Sequence, residues 1–218
     1  EIANLMRCVE VKDSDRPYVA ILGGLKVSDK IKVIDSLLKK CDKIIIGGAM
    51  AYTFKKALGF ETGESPVELD QLDYARKCLE EAKGKIILPV DAVITNGFEG
   101  WTEKKVVGDN VPAGYQGMDI GPKTEELFAK EIASAKMIFW NGPMGVFEQK
   151  DFASGTIAIC KAVASLKGAF SVCGGGDSAA AIKEFGYSSS FSHVSTGGGA
   201  SLEMIENDGH LPGVDILK

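Results

Sequence analysis

Residues 18–48 read YVAILGGLKVSDKIKVIDSLLKKCDKIIIGG, and this stretch decides the fold. Five apolar residues end in the pair Gly23 and Gly24, an amphipathic stretch covers 29–40, and a second apolar run over 43–46 ends in Gly47 and Gly48. Apolar residues on consecutive positions predict strands covered on both faces, and a helix between two such strands is the crossover a parallel sheet requires. The same unit recurs along the chain. Apolar runs at 86–88, 137–140, 169–173 and 191–194 alternate with amphipathic stretches such as 69–82, 124–133 and 152–166. The pattern predicts an α/β fold with a six-stranded, mainly parallel, doubly wound sheet, a Rossmann-like three-layer sandwich.

Two segments stand outside this rhythm. Ile2, Leu5, Met6 and Val9 recur at helical spacing and the pattern stops before Pro17, which predicts a lead-in helix whose apolar stripe needs a cover. Residues 95–121 are rich in Gly, Asn and Pro, with one possible short strand at 105–107, and are too long for an ordinary connection. They read as a functional excursion.

Size and composition narrow the function. A chain of 218 residues, 45% hydrophobic and 25% charged, fits one large soluble domain, and no apolar run approaches a bilayer span. A net charge of -5, with lysines clustered only as the pairs 39–40, 55–56 and 104–105, argues against a nucleic-acid partner. The five cysteines (Cys8, Cys41, Cys78, Cys160, Cys173) are widely spaced with no C-x-x-C, and read as buried, reduced thiols in a cytoplasmic protein. Glu1 stands where an initiator Met would, so further sequence is expected upstream.

In an open α/β sheet the ligand lies beyond the carboxyl ends of the strands, and glycines crowd those positions here. Besides the pairs at 23–24 and 47–48, the fourth strand leads to Asn141, Gly142, Pro143, Met144 and Gly145, the fifth to Gly174, Gly175 and Gly176, and the last to Gly197, Gly198 and Gly199. Absent Cβ atoms let backbone N–H groups approach one anion, and the following helices point their positive ends the same way. Lys26 and Lys30, four residues apart, are expected on one face of the opening turns of a helix. That placement opposes the macrodipole, so it marks either a bound polyphosphate or a solvated basic face. Asp177 begins a helix and either coordinates a nucleotide-bound Mg²⁺ or caps it; Ser178 either donates to a phosphate oxygen or caps. Glu148 either accepts from two ribose hydroxyls or is simply solvated.

Familiar signatures are missing. The sequence contains no G-x-x-x-x-G-K-[ST], no H-R-D or D-F-G, and no G-x-S-x-G. Residues 174–179 satisfy G-x-G-x-x-A, but late in the chain and with no acid about 20 residues on. His193 and His210 have no ligand or base partner nearby in sequence and read as structural, as Trp101 and Trp140 read as packing residues.

Taken in order, GGLKVSDK (23–30), GGAMAYTF (47–54), GYQGMDIGP (114–122), WNGPMGVFE (140–148), GGGDS (174–178) and SHVSTGGGAS (192–201) resemble the phosphoglycerate kinase family, specifically its C-terminal, nucleotide-binding domain. The resemblance covers nearly the whole chain. It implies an interdomain helix and linker over 1–16, a nucleotide-binding domain over 17–218, and an N-terminal phosphoglycerate-binding domain that this chain lacks. It also implies reversible phosphoryl transfer between 1,3-bisphosphoglycerate and Mg-ADP, giving 3-phosphoglycerate and Mg-ATP, in a cytoplasmic glycolytic enzyme that is a monomer at full length. The acceptor in the ATP-consuming direction is a carboxylate, already ionised, so no histidine base is needed.

By this resemblance Lys26 stabilises the phosphoryl group in flight, with the Gly176 and Gly199 amides beside it. Lys30 binds the nucleotide phosphates and Asp177 the Mg²⁺, while Ser178 with the Gly175 and Gly176 backbone holds the terminal phosphates. Glu148 takes the ribose, with Asn141 nearby. The base of ADP or ATP enters a slot formed by Gly23, Gly24, Gly47, Gly48, Gly117, Met118, Pro143 and Val146. Leu25 and Ala49 border that slot where the family usually has Ala and Gly, and Ser178 stands where Thr is frequent. The tail beyond Pro212 is expected to return toward the missing half, leaving the lead-in stripe uncovered here. Two other readings carry their own motives: a nicotinamide-dinucleotide-binding dehydrogenase domain, from G-x-G-x-x-A, and a non-enzymatic partner-binding module, from the lead-in stripe.

Overall fold

A computed structural model describes residues 2–216. Six strands form the main sheet: β1 (Tyr18–Leu22), β2 (Lys43–Ile46), β3 (Ile86–Ile87), β7 (Met137–Asn141), β8 (Phe170–Gly174) and β9 (His193–Ser195). Their order is β3-β2-β1-β7-β8-β9, and every ladder between them is parallel. The expected sheet is therefore present, with the last strand two residues later than its apolar run.

Period two along β1 explains why its residues are all apolar. Tyr18, Ala20 and Leu22 enter one core, and Val19 and Ile21 enter another on the opposite face. The first core is closed by α1 (Ile2–Val9), α2 (Ile31–Lys40), α3 (Ala51–Ala57), α4 (Leu72–Ala82) and α8 (Gly198–Glu206). The second is closed by α5 (Pro122–Ile132), α6 (Ser154–Ala164) and α7 (Gly176–Glu184). A strand between two helix layers has no polar face, which is the signal the sequence carried.

The excursion is a second, three-stranded antiparallel sheet, ordered β5-β4-β6, made of β4 (Ala92–Thr95), β5 (Lys104–Val107) and β6 (Gln116–Ile120). It has a small core of its own, in which Ala92, Ile94 and Val111 are buried. Only β5 was anticipated. β6 reads Gln, Gly, Met, Asp, Ile, and two of its unusual residues answer to neighbours rather than to strand propensity: Gly117 makes room for Tyr52, and Asp119 accepts the N–H of Gly155 at 2.9 Å.

The lead-in stripe is not uncovered. Leu5, Cys8 and Val9 are buried, α1 packs on α8 and β8, and Tyr18 donates its hydroxyl to Cys8 O at 3.1 Å. The chain closes this stripe itself, because α8 returns to the same face of the sheet. A short α9 (Pro212–Asp215) follows; Leu217 and Lys218 lie outside the described residues, as does Glu1, so the expected path of the tail is described only to Ile216. All five cysteines are free and buried, and no helix among the described residues is long and apolar enough to cross a membrane.

Candidate functional site

The chain works outward from β1 to β3, then returns beside β1 as β7, and the crevice outside the carboxyl ends of β1 and β7 is where such a sheet holds a ligand. Three turns meet there. Gly23 donates its N–H to Asn141 O at 2.9 Å and Gly24 to Pro143 O at 3.1 Å, while Gly24 O accepts from Met50 N at 3.0 Å. A Cβ on Gly23 would stand 2.1 Å from Pro143 O, and one on Gly48 would stand 2.6 Å from Gly24 N. These glycines are glycines because backbone lies on backbone. Gly47 serves a neighbour instead, since a Cβ there would meet Met144 Sδ at 2.3 Å.

Beside the turns lies a cavity of about 330 Å³. Gly24, Leu25, Gly48 and Ala49 line it from the β1 and β2 turns, and Pro143, Val146 and Glu148 from the segment after β7. Gly117 and Met118 of β6 supply another wall, and Asp177 of α7 reaches in. The excursion is therefore a wall of the cavity. Gly117 has no side chain because the Tyr52 hydroxyl stands 1.7 Å from where its Cβ would be. Gly23, Gly47 and Asn141 shape the turns without lining the cavity; buried Asn141 donates from Nδ2 to Gly174 O at 2.6 Å.

The end of β8 carries the remaining residues. Gly175 (φ 118°) is held against Asn141, whose Nδ2 would lie 2.7 Å from a Cβ there. Gly176 and Gly199, in the first turns of α7 and α8, have no atom of the described residues outside their own helix turn within 4 Å of where a Cβ would go. Two positive helix ends thus open onto free space near the turns. Ser178 is wholly buried, and its Oγ accepts the N–H of Gly142 at 2.6 Å, so it ties the β7 turn to α7 and caps nothing. Exposed Asp177 accepts no hydrogen bond among the described residues. No group of three or more His, Cys, Asp or Glu stands together among those residues. A lone carboxylate suits Mg²⁺ that takes its other ligands from phosphate oxygens and water.

The two lysines do not share a helical face. α2 begins at Ile31, Lys30 is its N-cap residue, and Lys26 sits earlier in an irregular bend. Lys30 is buried, and its ammonium donates to Gly23 O and, at 3.5 Å, to Asn141 O. Burial pulls its pKa down to about 8, against the fields of Asp29 and Asp177. A solvated basic face is excluded for Lys30. Lys26 is exposed and forms no ion pair among the described residues. A short 3-10 turn, Ser28–Lys30, leads into α2, and the anion at its start is internal: Glu68 Oε2 accepts from Val27 N at 2.7 Å and from Ser28 N at 3.1 Å.

Sequence reasoning also passed over the deeper cavity lining. Tyr52 and Lys55 of α3 line it beyond the Gly48 turn, and buried Lys55 donates to Pro89 O at 2.9 Å and Asp109 Oδ1 at 2.5 Å. Asp119 is buried there too, and desolvation pushes its carboxyl up to about 8 although Gly155 N and Ile120 N donate to it. Position on α3 after a glycine turn was a usable signal for Tyr52 and Lys55; nothing local marked Asp119 or Glu68. Neither histidine lines the cavity: His193 Nε2 is buried without a partner, and exposed His210 pairs with Asp215 at 3.4 Å. Trp140 packs on Phe191 and Trp101 on Phe152, as packing residues should.

Comparison with known proteins covers almost every residue described above. Residues 1–208 match the family model described as phosphoglycerate kinase. A phosphoglycerate kinase of Macrococcus caseolyticus is 55% identical over 208 residues, which are 95% of this chain and 52% of that protein. One of Spiroplasma citri is 52% identical over the whole chain and again 52% of its own length. The structure of phosphoglycerate kinase from Coxiella burnetii superposes with a TM-score of 0.92 at 41% identity, covering 100% of this chain and 56% of that one. The enzyme from Pyrococcus horikoshii gives 0.87 at 37% identity, covering 99% and 55%. The chain spans about half the length of the relatives it matches.

Proposed function

The chain belongs to the phosphoglycerate kinase family, and on that premise we propose that it is the nucleotide-binding half of a kinase that moves a phosphoryl group between an acyl phosphate of phosphoglycerate and Mg-ADP. The other substrate site belongs to the other half of the enzyme, reached through the helix and linker of 1–16, and the whole works as a cytoplasmic glycolytic monomer. The observation that carries the reading is convergence. The cavity, the Asp177 carboxylate and the open starts of α7 and α8 gather at the carboxyl edge of the sheet, where the neighbouring strands β1 and β7 end.

In this reading the base lies against Gly24, Gly48, Gly117, Met118, Pro143 and Val146, all of which line the cavity, and Glu148 accepts from the ribose. The phosphates extend toward Gly175, Gly176 and Gly199, whose helix ends stabilise negative charge. Lys30 exchanges the carbonyls of Gly23 and Asn141 for phosphate oxygens. Asp177 holds Mg²⁺, which supplies charge neutralisation on the phosphates. Ser178 serves from beneath, by fixing Gly142, rather than as a surface donor. Lys26, exposed and unpaired, stabilises the group in transfer, and catalysis is positioning with charge stabilisation and needs no base.

Titration calorimetry of this chain with ADP and Mg²⁺ tests the reading. Binding without turnover is expected, because the partner site is missing; no heat at millimolar concentrations sinks it. The dinucleotide reading has lost its ground, since its fingerprint belongs after the first strand of such a sheet and 174–179 follows β8. Tighter binding of NAD than of ADP in the same experiment is the result that would restore it.

A further inference from the structure

Lys26 is given its task by the reading above, yet nothing among the described residues holds its side chain. Its place is therefore set by its backbone alone, and a lysine with four rotatable bonds is useful only if its root is fixed. Upstream, the root is fixed by Gly24, clasped between Pro143 O and Met50 N. Downstream, the two amides that follow Lys26 in the chain, Val27 N and Ser28 N, both donate to one carboxylate oxygen of Glu68, at 2.7 and 3.1 Å. Ser28 Oγ donates to the other oxygen of the same carboxylate. Glu68 is itself anchored, because its N–H donates to Thr53 Oγ1 at 3.1 Å, and Thr53 is buried in α3.

We propose that Glu68 is a positioning residue for phosphoryl transfer: it clamps the backbone of the Lys26 bend to α3, and so fixes where the Lys26 ammonium can reach. This rests on the function proposed above. A carboxylate is the fitting group, since it accepts three hydrogen bonds at once from a helix start that favours negative charge. Val27 is fully buried and anchors the bend on its apolar side. One buried side chain leaves the peptide planes on either side free to rock, and the paired N–H bonds remove that freedom. The geometry also links Lys26 to the cavity, because Ala51, Tyr52 and Lys55 of the same helix line it.

A double-mutant cycle in the complete two-domain enzyme separates positioning from helix capping. Glu68→Gln, which keeps the shape and one acceptor oxygen, is expected to lower kcat about tenfold. Glu68→Ala is expected to lower it about a hundredfold, the scale of an ångström of misplacement. In both, the affinity for ADP should change less than threefold. With Lys26→Ala as the background, which itself loses orders of magnitude in kcat, either Glu68 change should cost less than about twofold more, because the group being positioned is gone. Equal losses in the two backgrounds, or an unchanged kcat in Glu68→Gln, overturn the proposal. An enzyme with native Lys26 and Glu68 that binds ADP but transfers no phosphoryl group would instead overturn the parent reading, and this one with it.

Discussion

Where β1, β2 and β7 end, glycine is demanded by crowding, with backbone atoms of the neighbouring turn 2.1 to 2.6 Å from a Cβ on Gly23 or Gly48; where α7 and α8 begin, glycine leaves room, and no atom of the described residues outside its own helix turn stands within 4 Å of one on Gly176 or Gly199. Both groups lie near the same edge of the sheet. The first is a foundation: turns stacked so closely that Gly23, Gly24, Gly48 and Gly142 form a backbone platform. The second is an opening, where helix N–H groups face a space that a phosphate can enter. Glycine at a strand end thus has two physical meanings, and they make opposite demands on stability and binding.

The comparison breaks most sharply at Gly23. Gly23→Ala drives a methyl group into carbonyl oxygens that cannot retreat without dismantling the β7 turn, and a loss of about 3 kcal/mol or more is expected in urea denaturation. A variant as stable as the parent would show that the platform is not rigid. Gly176→Ala is the counterpart. Its φ is not positive and no described residue beyond its own helix turn crowds a Cβ there, so the unfolding midpoint should hold or rise slightly, as for a glycine replaced within a helix. Affinity for ADP measured by calorimetry should nevertheless weaken about tenfold, because the methyl group takes the place of the approaching phosphate. Loss of stability with unchanged affinity would reverse the assignment of the two regions.

The smallest effect lies at Lys30, which is seated on the platform with its ammonium against Gly23 O and Asn141 O. Its folded pKa of about 8 lies below the ordinary 10.5, so the unfolded chain binds the proton more tightly. Between pH 8 and 10.5 the unfolded state therefore carries more protons, and stability at this residue increases with pH through that window. In the proposed reading Lys30 meets the phosphates in its charged form, so ADP affinity should fall severalfold between pH 8 and 9 while the unfolding midpoint rises. Lys30→Met should flatten both trends, as followed by calorimetry and thermal melts across pH.

Much of this was legible in the order of residue types. The run YVAIL at 18–22 announced a strand buried on both faces, and Tyr18 and Val19 do enter opposite cores. The glycine pairs announced the strand ends, and most of the cavity lining came from the same stretches. Misreadings arose wherever a residue answers to a distant neighbour. Lys26 and Lys30 looked equivalent by spacing, yet one is exposed and the other buried against Gly23 O. Ser178 read as a phosphate donor or a helix cap, yet its buried hydroxyl accepts from Gly142, 36 residues away. Gly117 read as a glycine of the irregular excursion, outside its one expected strand at 105–107, because the phenol that requires it belongs to α3.

The sequence by itself determined the fold class, the six parallel strands and the edge at which the glycine turns gather, since hydrophobic period and turn glycine are local properties written in consecutive residues. Only the tertiary structure decided that α8 closes over the lead-in helix, that the excursion pairs into a second sheet walling a cavity, and that Glu68 grips the bend carrying Lys26 from 40 residues away. Those outcomes depend on which surfaces meet when the layers pack, and a pairing between distant segments leaves no periodic trace in either one.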